Sequence, residues 1–177
     1  GSIRLLVLGG SQGARALNLG VPAALARLGA GFEVRHQCGE AQREATARAY
    51  AEAGVAGSVE PFIADMAEAY GWADLVLCRA GALTLAEVCA AGVASVLVPL
   101  PTAADDHQTG NAEHLVSHGA AVRVAEGGDF PERLSKELDR LRADPALRLA
   151  RAEAARALSF PDAACAVADA ILAEAAA

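Results

Sequence analysis

Six short runs that read as strands, most of them apolar and each followed by a longer stretch with helical spacing, constrain this chain more than any other feature of its sequence. The runs cover residues 3–8, 32–36, 58–60, 75–78, 95–99 and 121–124. The first, Ile3-Arg4-Leu5-Leu6-Val7-Leu8, shows almost no polar alternation, the pattern of a strand buried on both faces. Helical spacing fills residues 14–28, 41–53, 64–70, 83–91 and 106–117, with Gly54, Gly92 and Gly119 as stop signals. Gly20-Val21-Pro22 interrupts the first of these and is expected to start or restart a turn, because proline has no N–H to donate. From residue 131 to about 176 the pattern predicts two or three helices, broken near Asp144-Pro145 and Ser159-Phe160-Pro161. Asp65 should lie in the first turn of its helix. Strand–helix alternation repeated this often implies right-handed crossovers and a sheet covered on both faces. The expected fold is therefore α/β: a doubly wound, six-stranded, mostly parallel, Rossmann-like sheet. Residues 1–177 read as one domain, with 1–2 a cloning scar and 160–177 a C-terminal helix.

Ligands of such sheets bind beyond the C-terminal strand ends, so the loops at 9–13, 37–40, 61–65, 79–84 and 99–108 are the places to look. Charge narrows the choice of ligand. The net charge of −7 argues against nucleic acid as a partner. Residues 61–120 hold seven acids and one base, Arg79, so any anion bound there must be held mostly by backbone N–H groups. No apolar run approaches the ~18–20 residues of a membrane span, and no leader pattern is present. Cys38, Cys78, Cys89 and Cys165 form no C-x-x-C pair and sit in apolar stretches, as reduced packing residues of a cytosolic protein would.

The loop Gly9-Gly10-Ser11-Gln12-Gly13-Ala14 allows close backbone approach to a phosphate ahead of a helix N-terminus. Its spacing is not G-x-G-x-x-G, the second strand ends in His36-Gln37 with no acid for an adenosine ribose, and no Lys-Ser or Lys-Thr follows. An unliganded βα turn fits it equally. In Cys78-Arg79-Ala80-Gly81-Ala82-Leu83-Thr84, the N–H groups of Ala82, Leu83 and Thr84 point out of a helix start, with Glu87 one turn on. Two structural alternatives stand beside that: Thr84-x-x-Glu87 matches a capping box, and Arg79 could simply balance Asp74 or Asp65. Gln108 and Asn111 share a helix face, and each amide can both donate to and accept from a sugar hydroxyl; a solvated helix start is the alternative. His107, His114 and His118 could share a face, but no carboxylate or cysteine stands at ligand spacing, so no metal site is expected.

Taken together these segments resemble the MurG family, the bacterial UDP-N-acetylglucosamine (UDP-GlcNAc) transferases that complete lipid II in peptidoglycan synthesis. The resemblance runs from the Gly9-Gly10-Ser11-Gln12-Gly13-Ala14-Arg15 segment through His36-Gln37-Cys38-Gly39, Pro61-Phe62-Ile63 and Cys78–Glu87. It continues in Asp106-His107-Gln108, Asn111-Ala112 and Pro161-Asp162-Ala163, and covers nearly all of residues 3–165. It implies the donor-binding half of a GT-B glycosyltransferase. On that resemblance Ile63 backbone groups would recognise uracil with Phe62 beside the ring, and Glu87 would accept the ribose hydroxyls. Ser11, Gly13 and the N–H groups of Ala82, Leu83 and Thr84 would hold the diphosphate, with Arg79 supporting that loop or the phosphates. Gln108, Asn111 and His107 would face the N-acetylglucosamine. Ala80 stands where some relatives have Ser.

The resemblance further implies inverting transfer to lipid I, with the catalytic base and acceptor site in an N-terminal domain. No catalytic residue is assigned here, no metal or other cofactor is expected, and UDP-GlcNAc is the expected substrate. A cytoplasmic location is implied, with the intact protein peripheral on the inner face of the membrane. The isolated chain should bind UDP-GlcNAc weakly and transfer nothing. Two other readings stay open: a free-standing donor subunit of a two-chain transferase, and a non-catalytic nucleotide-sugar-binding module.

Overall fold

The computed structural model describes residues 1–10, 15–101 and 107–160. Along the chain run β1 (Ile3–Leu8), α1 (Arg15–Ala26), β2 (Phe32–Gln37), a 3-10 turn (Glu40–Gln42) leading into α2 (Arg43–Glu52), and β3 (Ser58–Glu60). Then come α3 (Met66–Trp72), β4 (Leu75–Cys78), α4 (Ala82–Ala91), β5 (Ser95–Leu97), α5 (His107–Ser117), β6 (Ala121–Arg123), α6 (Phe130–Ala143) and α7 (Pro145–Ala157). The sheet order is β3-β2-β1-β4-β5-β6, and every pairing is parallel. The expected doubly wound, Rossmann-like α/β sheet is thus found, with no antiparallel strand among the described residues. From β1 the chain steps outward to β2 and β3, then returns to the other side of β1 with β4. That reversal opens a crevice between the β1 and β4 ends.

Two apolar layers hold the sheet. Leu5 and Val7 of β1, Leu75 and Leu77 of β4 and Val96 of β5 face one layer, packed under α1, α2 and α6. Leu6, Leu8, Val76, Cys78 and Leu97 alternate to the other, under α3, α4, α5 and α7. Period-2 alternation sends successive side chains to opposite faces, so a strand buried on both must be apolar throughout. Cys38, Cys78 and Cys89 are buried free thiols within this packing, and burial pushes the Cys78 thiol up to about 12. Cys165 lies outside the described residues, as does most of the expected helix at 160–177.

Three of the differences from the sequence expectation have identifiable reasons. Gly20-Val21-Pro22 does not break α1, which runs continuously with Pro22 inside it. Gly20, Val21 and Pro22 are all buried, and a Cβ on Gly20 would come within 2.5 Å of the Phe130 ring of α6. Packing against α6 therefore offsets the missing proline hydrogen bond, which by itself costs about 3 kcal/mol. α3 starts two residues later than expected, because Asp65 is its N-cap, accepting from the Glu68 N–H at 2.8 Å, rather than a first-turn residue. β5 ends at Leu97, before Pro99, which has no N–H to continue the ladder.

Candidate functional site

The crevice at the β1/β4 reversal is a cleft of about 550 Å³. Leu8 and Gly10 line it from the end of β1 and the loop beyond, Gln37, Gly39 and Glu40 from the end of β2 and the turn after it, Pro61, Phe62, Ile63 and Met66 from the β3–α3 turn and the start of α3, and Arg79, Thr84 and Glu87 from the loop after β4 and from α4. Of the five loops expected at a ligand site, four contribute described residues to this one space. Gly10 turns the chain out of β1 with a φ of 74°, a conformation that favours glycine.

The β2 and β3 ends are fastened together. The Gln37 side chain donates to the Pro61 carbonyl at 3.2 Å, Cys38 N–H to Glu60 C=O at 2.9 Å, and Gly39 N–H to Pro61 C=O at 3.1 Å. Arg35 reaches Glu60 at 3.1 Å and Glu68 at 2.8 Å, and its guanidinium lies 5.4 Å from the Trp72 ring centre. These contacts fix the turn that carries Phe62 and Ile63. Phe62 is 75% exposed at the rim, whereas the Ile63 side chain is buried.

Behind this wall runs a directional buried chain. Asn18 Nδ2 donates to the Cys38 carbonyl at 3.4 Å, which turns Asn18 Oδ1 toward His36 Nε2 at 3.0 Å. His36 Nε2 must then carry the proton, and Nδ1 accepts from the Tyr50 hydroxyl at 2.9 Å. His36 is completely buried, and that desolvation lowers its pKa to about 4, so the ring is neutral.

On the opposite wall the N-cap of α4 is Gly81, which has no side chain to cap the helix. The first intrahelical bond is Leu85 N–H to Gly81 C=O at 3.0 Å, so the N–H groups of Ala82, Leu83 and Thr84 lie upstream of it. Thr84 is three residues into the helix and not at its cap, so the Thr84-x-x-Glu87 capping box does not form. Glu87, half-buried, instead accepts from the Tyr70 hydroxyl at 2.9 Å. Burial, and next the bond to Glu87, raise the Tyr70 pKa far above its ordinary value and keep the phenol a donor. One Glu87 carboxylate oxygen, Oε2, is thereby oriented.

Arg79 is neither partner to Asp74, which binds Arg4 at 2.8 Å, nor to Asp65, which caps α3. It is buried, and its Nη1 donates to Val98 C=O at 3.2 Å, Pro99 C=O at 3.5 Å and Glu126 at 2.9 Å. Its charge is thus already compensated by a carboxylate that follows β6. Gln108 and Asn111 also meet backbone: Gln108 Oε1 accepts from Ala80 and Leu100 N–H, and Asn111 Nδ2 donates to Ala80 C=O. His107 is exposed at the start of α5. Ser11 and Gly13 lie outside the described residues.

Sequence reasoning missed Tyr70, Glu126 and the Asn18–His36–Tyr50 chain. Tyr70 sits in apolar helical spacing that reads as core, and Glu126 lies 47 residues from Arg79; no local spacing signals either contact. Among the described residues no three His, Cys, Asp or Glu side chains are grouped to hold a metal ion. A second hollow of about 360 Å³ between α4, α5 and the end of α7 is lined mainly by apolar side chains such as Leu85, Leu115 and Phe160.

Residues 4–167 match the family described as Glycosyltransferase family 28 C-terminal domain. The chain belongs to that family. Among curated relatives of this glycosyltransferase family 28 domain, a protein of Xanthomonas campestris pv. campestris (strain B100) is 66% identical over 176 residues, spanning 99% of this chain and 41% of its own length. One from Xylella fastidiosa (strain M12) is 58% identical, spanning 98% of this chain and 48% of its own. Both carry the name UDP-N-acetylglucosamine–N-acetylmuramyl-(pentapeptide) pyrophosphoryl-undecaprenol N-acetylglucosamine transferase. The crystal structure of Acinetobacter baumannii MurG superposes with a TM-score of 0.90 at 45% identity, over 97% of this chain and 52% of that one. The glycosyltransferase family 28 domain described here thus spans about half the length, or less, of the relatives it matches. No helix among its described residues is long and apolar enough to cross a membrane.

Proposed function

We propose that the cleft binds UDP-GlcNAc and that the chain is the donor-binding half of an inverting transferase that converts lipid I to lipid II. The observation that carries this reading is the presence, on one wall of the cleft, of an uncapped α4 N-terminus and a Tyr70-oriented Glu87 one turn along the same helix. The relatives' shared name supplies the donor and the acceptor.

In this reading uracil lies against Phe62 and the backbone of Ile63. The Glu87 carboxylate accepts the ribose hydroxyls. The diphosphate meets the N–H groups of Ala82, Leu83 and Thr84, together with Ser11 and Gly13, where the helix dipole favours negative charge. Arg79 supports the loop, because its charge is already paired with Glu126. As the acceptor hydroxyl attacks the anomeric carbon, the bond to UDP breaks on the opposite face and negative charge grows on the leaving diphosphate. Amides already aimed there stabilise that charge without reorganisation. Gln108, Asn111 and His107 lie on the sugar side. The proton of the acceptor goes to a base in a separate N-terminal domain, which also holds lipid I. The intact protein then works from the cytoplasmic face of the membrane, and this chain alone transfers nothing. Donor binding needs no metal.

The test is calorimetric titration of UDP, UDP-GlcNAc and UDP-GalNAc into the chain and into Glu87→Ala, with and without EDTA. The wild type should bind UDP and UDP-GlcNAc whether or not EDTA is present, and UDP-GalNAc more weakly than UDP-GlcNAc. Loss of the ribose contact should weaken UDP about tenfold or more, as expected for a charge-assisted hydrogen bond. Unchanged UDP affinity in Glu87→Ala would remove the ribose assignment.

A further inference from the structure

Ala80 is completely buried one residue ahead of Gly81, the N-cap of α4. Its backbone N–H and C=O lie past the end of β4, beyond the last ladder pair, Cys78 with Leu97. Buried backbone groups need partners, and here both come from side chains of one face of α5. Gln108 Oε1 accepts from Ala80 N–H at 3.2 Å and from Leu100 N–H at 3.0 Å, and Asn111 Nδ2 donates to Ala80 C=O at 3.0 Å. The amide orientations follow from chemistry, because only an oxygen can receive two N–H groups and only the NH₂ of Asn111 can serve a carbonyl.

We propose that Gln108 is a positioning residue for the turn that presents the α4 amides, and that it offers a sugar only its Nε2 donor. Both lone pairs of its carbonyl oxygen are occupied, so the donate-and-accept reading of a hydroxyl is closed to it. Holding Ala80 and Leu100 on a single oxygen locks the β4–α4 and β5–α5 loops to each other. A shift of Ala80 would carry Gly81 with it and re-aim the N–H groups of Ala82, Leu83 and Thr84. Gln108 therefore acts on the phosphate end of the site, although its place in the fold is on the sugar side. This inference rests on the donor-site reading above for its consequence, and on the hydrogen bonds alone for its geometry.

The experiment pairs amide hydrogen exchange by NMR with UDP titration, in wild type, Gln108→Leu and Gln108→Glu. Gln108→Leu should speed exchange at Ala80 and Leu100 about tenfold, the consequence of losing one net hydrogen bond each. It should also weaken UDP, which carries no N-acetylglucosamine to read. Gln108→Glu keeps an accepting oxygen in place and should restore protection of both amides, which separates lost positioning from general misfolding. Gln108→Leu that keeps both amides protected and UDP affinity intact, while losing UDP-GlcNAc alone, would overturn the proposal and leave Gln108 a plain sugar contact. A wild-type chain that binds no UDP would instead overturn the donor-site reading, and the exchange data, which need no ligand, would still decide the positioning.

Discussion

The buried imidazole of His36 makes the stability of this domain depend on pH between about 4 and 6.5. Folding takes the ring from an ordinary pKa near 6.5 to about 4, through burial. The unfolded chain therefore binds more protons than the folded one between those values. Stability from this group is fully present above about pH 6.5, declines as the pH falls, and stops declining below about pH 4, where both states are protonated. At about 1.4 kcal/mol per unit, the full interval is worth about 3 kcal/mol, and the part between pH 7.5 and 5.0 about 2 kcal/mol. The matched variant is His36→Gln, whose NH₂ can still donate to Asn18 Oδ1 and whose carbonyl can still accept from Tyr50. Urea unfolding of both proteins at half-unit pH steps should show the wild type losing about 2 kcal/mol more than the variant between pH 7.5 and 5.0. His107, His114, His118 and all the carboxylates are common to both proteins, so their contributions cancel in the difference. Parallel curves would refute the reasoning, because they would mean that the folded ring takes up its proton as readily as the unfolded one.

Two further perturbations bear on the cleft. Tyr70→Phe removes the hydroxyl that orients Glu87; it should cost about 1 kcal/mol of stability in urea unfolding and weaken UDP several-fold by calorimetry, less than Glu87→Ala does. Unchanged UDP affinity would mean that Glu87 needs no orienting. Glu126→Ala removes the charge-assisted hydrogen bond that Glu126 accepts from the buried Arg79 guanidinium, and should destabilise the chain by about 2 kcal/mol in thermal or urea unfolding. A loss below about 0.5 kcal/mol would place this ion pair with ordinary exposed ones.

How much of this molecule could be read from its sequence depends on the range over which each signal acts. The runs of β1, β4 and β5 were legible because a strand buried on both faces has few other ways to be written, and Gly92, with a φ of 64°, closes α4 where the sequence placed its stop. Gly20-Val21-Pro22 misled because its local signal was real but weaker than the packing of α6 against it. The same division runs through the site. Strand–helix alternation put five candidate loops at the C-terminal strand ends, and four of them line one cleft, with Arg79 and Glu87 at its wall. What these groups are bound to could not be read, because Tyr70 with Glu87, Arg79 with Glu126, and Gln108 with Ala80 and Leu100 are contacts between elements. Arg79 shows the consequence most plainly. As the single base in an acidic third of the chain it reads as an anion ligand, yet the fold brings Glu126 to it from outside that third. With Arg79 compensated in this way, the positive potential left for an anion in this wall comes from the first turn of α4, and its aim depends on what holds Ala80.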